Sequence, residues 1–141
     1  MKKAIMLFLL LGLSLMLLLS GCGGGGGGSD DPSPYQGTWE GKSIIATPIG
    51  DRGYEASLYV TIYKDGDMDC KTESVDSTIT ASGKMKNDGS FSLSGSDGEN
   101  KGTITGSVRY EDDNKTDLIG DYTLKSGDYT ETGAWNLTKV E

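Results

Sequence analysis

Between Tyr54 and Lys64 the chain alternates without a break: Tyr54, Ala56, Leu58, Val60 and Ile62 share one parity, and Glu55, Ser57, Tyr59, Thr61 and Tyr63 the other. Successive side chains of an extended strand point to opposite faces, so a period of two describes a strand with one face buried and one in water. The period recurs down the chain. Ile79, Ala81, Gly83 and Met85 alternate with Thr78, Thr80, Ser82 and Lys84; Phe91 and Leu93 alternate with Ser90, Ser92 and Ser94. Ile104, Gly106, Val108 and Tyr110 make a further face, then Leu118, Gly120, Tyr122 and Leu124, and last Trp135 and Leu137. With Gly37–Thr47 at the start and Met68–Val75 as a weaker segment, the reading gives eight strands. Helical spacing of apolar residues is missing beyond Tyr35, so an all-β fold is expected.

The segments between strands are turns by composition. Lys64-Asp65-Gly66-Asp67, Asn87-Asp88-Gly89-Ser90 and Asp97-Gly98-Glu99 carry the Asp-Gly step that accepts positive φ. Glu111–Thr116 and Ser126-Gly127-Asp128 read as longer polar loops. Locally connected strands with one apolar face leave open edges unless the sheet closes on itself. A single small antiparallel up-and-down β-barrel of about eight strands is therefore expected, with a two-sheet β-sandwich as the alternative. Glycines at the inward positions Gly41, Gly83, Gly95, Gly106 and Gly120 supply the bends a small barrel needs.

The N-terminal part is organised differently. Met1-Lys2-Lys3 is cationic, and Ala4–Leu19 is uncharged and leucine-rich. That stretch is shorter than the roughly 20 apolar residues of a membrane-spanning helix and fits the apolar core of a signal peptide. It ends in Leu19-Ser20-Gly21-Cys22, which resembles the lipobox of bacterial lipoproteins. The resemblance implies cleavage between Gly21 and Cys22 and acylation of the Cys22 thiol. Two or more acyl chains anchor stably where one is marginal. Residues 1–21 then form the signal peptide, 22–34 the lipidated cysteine with its tether, and 35–141 the β-barrel domain. Gly23 follows the cysteine, where an aspartate resembles the inner-membrane retention signal of Gram-negative lipoproteins. The expected location is a bacterial cell envelope, at the outer membrane if the source is Gram-negative.

The six glycines Gly23–Gly28, followed by Ser29-Asp30-Asp31-Pro32-Ser33-Pro34, lack the Lys-Ser or Lys-Thr of a phosphate-binding loop. They read as a flexible tether with a coil span of roughly 20 Å.

Composition narrows the function. The chain contains no histidine, which removes a Ser–His–Asp triad, a Cys–His pair and any imidazole metal site. Its formal charge is −8, and loss of residues 1–21, with two lysines and no acid, takes it to −10. Such a surface does not bind the nucleic-acid backbone. Cys70 remains as a second thiol, and without histidine a buried, inert role is expected for it.

Asp65, Asp67 and Asp69 alternate in a way that resembles the start of a calcium loop. Gly66 comes too early for that loop, and Glu73 stands at the wrong distance to close it. An acidic turn is expected, with no metal and no cofactor. The other carboxylates fall mostly in turns, and no pair stands out for hydrolysis.

Tyr35-Gln36-Gly37-Thr38-Trp39-Glu40-Gly41 resembles the opening strand of calycin barrels, the lipocalin and avidin group, with its Gly-x-Trp. Gly133-Ala134-Trp135-Asn136-Leu137-Thr138 is similar to Trp-containing closing strands of the same group. The resemblance implies that Trp39 packs at a closed barrel end beneath a basic side chain from the last strands. Lys139 is the position that matches, with lysine where arginine is usual. Trp39 and Trp135 belong either to a solid core or to the lining of a ligand cavity.

A non-enzymatic, lipid-anchored binding protein is expected, acting as a monomer on a protein, an envelope component or a small apolar ligand. A membrane-presented protease inhibitor or chaperone is the alternative, and a carboxylate-dependent hydrolase the third reading. A barrel cavity would favour ligand binding, whereas a filled barrel with exposed aromatics around Tyr59 and Tyr63 would speak for a protein partner.

Overall fold

A computed structural model describes residues 32–47 and 55–140 of the chain. These form eight strands: β1 Gly37–Thr47, β2 Glu55–Ile62, β3 Asp67–Glu73, β4 Thr78–Met85, β5 Ser90–Ser96, β6 Lys101–Tyr110, β7 Asp117–Ser126 and β8 Tyr129–Lys139. Each pairs antiparallel with the next, and β8 returns to β1, so the sheet is a closed up-and-down barrel with no sandwich split. On β1, Trp39 stands opposite Val60 of β2 on one side and Lys139 of β8 on the other.

The alternation in the sequence sets what faces inward. Leu58, Val60 and Ile62 of β2, Met68 and Cys70 of β3, Phe91 and Leu93 of β5, and Trp135 and Leu137 of β8 all lie in one continuous core. Burying each large aliphatic side chain stabilises the fold by about 1.5–3 kcal/mol. The intervening Ser, Thr and Lys side chains face water.

Two Asp-Gly hairpins are built alike. Gly66 N–H donates to Tyr63 O at 3.0 Å and Gly89 N–H to Lys86 O at 3.0 Å, with both glycines at positive φ, 88° and 89°. That is a type I turn followed by a left-handed residue, a common three-residue hairpin. Ser126-Gly127-Asp128 proves to be a tight turn and not a longer loop, since β7 and β8 extend to Ser126 and from Tyr129. β8 is longer than its Trp135–Leu137 signal, because its first half is polar.

The barrel has two distinct ends. One carries the chain's entry, the 63–66 and 86–89 turns, the 111–116 loop and the end of β8; the other carries the 74–77, 97–100 and 127–128 turns. Ser33, expected at the far end of the tether, belongs to the fold: it is buried, and its N–H donates to Lys64 O at 2.8 Å.

Candidate functional site

The entry end is plugged by residues 33–36. Tyr35 stacks on Tyr110 with ring centres 5.2 Å apart, and the Tyr110 hydroxyl donates to Pro34 O at 2.5 Å. Trp39, with no exposed surface, donates its indole N–H to Tyr35 O at 3.0 Å. Lys139 Nζ lies 5.6 Å from the centre of the Trp39 ring, within cation–π range. Trp39 and Lys139 are thus brought together at a closed barrel end.

Trp135 fills the opposite half and is 2% exposed. Phe91 stacks on it at 4.6 Å with ring planes 8° apart, and Tyr122 lies 5.9 Å away. Beyond it sits a polar group that the sequence reading did not single out. Glu131 is 3% exposed and accepts hydrogen bonds from the Tyr122 and Tyr129 hydroxyls, each at 2.7 Å. A buried carboxylate is costly unless bonded in this way. Burial, together with the Glu131 carboxylate and against a bond from Ser43, pushes the Tyr122 hydroxyl well above its ordinary range, so it remains a donor. The signal for Glu131 was its parity with Gly133, Trp135 and Leu137; its charge hid it.

The space left among Ser43, Ser74, Ser77, Tyr122, Glu131 and Trp135 is about 20 Å³. That is room for about one water molecule. Trp39 and Trp135 are both buried, and the space beside Trp135 is too small for a ligand larger than water.

The outer wall differs. A shallow depression of about 490 Å³ crosses β1 to β5. Tyr59, 38% exposed, stands in it, and Tyr63, 47% exposed, stands two places further along the same face of the chain. Lys71 Nζ lies 5.8 Å from the centre of the Tyr59 ring and also pairs with Glu73. The Tyr63 hydroxyl donates to Asp69 Oδ2 at 2.9 Å, and that bond raises its pKa.

Asp65, Asp67 and Asp69 do not converge. Asp65 Oδ1 accepts the Asp67 N–H at 3.0 Å, Asp67 pairs with Lys84 at 2.7 Å, and Asp69 is held by Tyr63. No group of three or more metal-ligating side chains gathers among the described residues. Cys70 is buried, and burial, against a weak bond from Thr72, pushes its thiol pKa up to about 12. Gly21 and Cys22 lie outside the described residues. Comparison of the chain with protein-family models, with curated proteins and with solved structures finds no match.

Proposed function

We propose that this chain is a non-enzymatic lipoprotein of a bacterial envelope, anchored through acylated Cys22, whose barrel binds its partner on the outer wall and not in the lumen. One observation carries the second half of this reading. Among the described residues the spaces lined by inward-facing side chains are about 20 and 30 Å³, whereas the open depression around Tyr59 is about 490 Å³. A carrier of a small apolar molecule needs a lumen that Trp39, Trp135, Leu58 and Leu93 leave no room for.

The anchor rests on Lys2, Lys3, the apolar Ala4–Leu19 stretch and Leu19-Ser20-Gly21-Cys22. The non-enzymatic reading rests on the missing histidine and on Glu131, the one deeply buried carboxylate among the described residues, which is bonded to two tyrosines.

Native mass spectrometry of the full-length protein, purified from its host in detergent, tests the outer-wall reading. The expected spectrum is the acylated chain with no retained small molecule. A stoichiometric apolar molecule surviving purification would overturn it.

A further inference from the structure

We propose that the outer-wall depression is a binding site for a neutral, unbranched polysaccharide; this rests on the outer-wall reading above. Strand register lays the lining out in two rows across the barrel. Glu40, Tyr59, Lys71 and Thr80 are successive cross-strand partners on β1 to β4. Beside them run Thr61, Asp69, Ser82 and Ser94. Strands lie about 4.8 Å apart, so the second row is a track of polar groups roughly 14 Å long from β2 to β5.

The chemistry of that track selects its occupant. Serine and threonine hydroxyls both donate and accept, a carboxylate only accepts and an ammonium only donates. Together they match the hydroxyls of a sugar, which also do both. Tyr59 supplies an aromatic face for the C–H face of a pyranose ring, with its position steadied by Lys71. Protein interfaces are poor in Ser, Lys, Asp and Glu at their centres and rich in clustered aromatics and Arg. Here the proportions are reversed: one tyrosine stands among hydroxyls and mixed charges, with no exposed aliphatic side chain in the depression.

Charge decides which polysaccharide. The chain carries −8 overall, and the lining sets Lys71 against Glu40 and Asp69, so a polyanion is repelled and no cationic excess exists to hold one. A neutral chain avoids both costs.

The test uses full-length protein in a detergent without a sugar head group, pulled down on insoluble chitin and on cellulose. Retention on at least one is expected, with release by the soluble hexasaccharide of the same glycan. Tyr59→Ala is expected to reduce retention about fivefold, the loss of one aromatic contact. Ser82→Arg, which fills the track from an exposed position, should reduce it at least as far, while Lys125→Ala on β7 leaves it unchanged. Thermal midpoints of the variants establish that each is folded. Retention by neither glycan, or retention indifferent to both Tyr59→Ala and Ser82→Arg, overturns the proposal. A photo-crosslinking residue at position 59 separates the two readings: capture of an envelope protein without glycan retention overturns the polysaccharide and leaves the outer wall as the binding face. A small molecule held in the lumen overturns both.

Discussion

Gly83 stands where β4 and β5 press together: a Cβ on it would run into the backbone carbonyl of Ser92 and come within 2.9 Å of Leu93 Cα. Neither group is the end of a flexible side chain, so the strands themselves would have to part. Overpacking of this kind costs about 1–3 kcal/mol, and a site bounded by backbone belongs at the upper end. Gly83→Ala is expected to lower stability by about 3 kcal/mol and the thermal midpoint by roughly 15 °C in a domain of this size. Ser82→Ala, one residue away on the exposed face, should stay within about 0.5 kcal/mol of the parent. A calorimetric scan of the two variants beside the parent decides; a tolerated Gly83→Ala would mean that the close approach of β4 to β5 is not what the glycine is for.

At the scale of the element, the hairpins owe part of their stability to carboxylates. The Asp67 carboxyl is held below its ordinary range by Lys84, and Asp88 by the hydroxyl and then the backbone N–H of Ser90. A carboxyl whose pKa is lower folded than unfolded stabilises above the unfolded value, about 3.9, and that stability is lost as pH falls through the folded value. Urea unfolding is therefore expected to show lower stability at pH 3 than at pH 7. Asp88→Asn, which keeps an acceptor for the turn, should be less stable at pH 7 and lose less on acidification; an unchanged acid slope would remove Asp88 from the account. These turns were legible in the sequence as Asp-Gly steps, as were the strands from their alternation, and closure was favoured over a sandwich by the two open edges a long meander would leave. What escaped was of two kinds. Ser33 and Pro34 looked like the end of a tether because their partners, Lys64 and Tyr110, are distant in sequence. The first half of β8 was obscured because Thr130, Glu131 and Thr132 are polar on both parities, and only the tyrosine hydroxyls make a buried glutamate tolerable there. The outer-wall depression was half visible: Tyr59 and Tyr63 stood out as exposed aromatics, but the hollow depends on the register that sets Ser82 opposite Ser94.

For the molecule as a whole, the barrel's two ends are unequal. Entry at Ser33 and the end of β8 meet at the plugged end, where Val140 N–H donates to Thr38 O at 2.8 Å. The 74–77, 97–100 and 127–128 turns lie at the opposite end. Among the described residues the barrel's core is one continuous cluster running from Tyr35 to Leu137, and the separability of anchoring and folding can be tested directly. Cys22→Ala is expected to move the protein from the membrane fraction to the soluble fraction without altering its thermal midpoint or its retention on polysaccharide in vitro. Fractionation of cells with an antibody to the barrel measures the first, and the purified variant measures the rest. Two or more acyl chains make the difference between stable and marginal membrane attachment, so the shift should be nearly complete. Continued membrane association of Cys22→Ala would assign the anchor to the Ala4–Leu19 stretch and overturn the lipoprotein reading, while leaving the filled barrel and its outer wall as they stand.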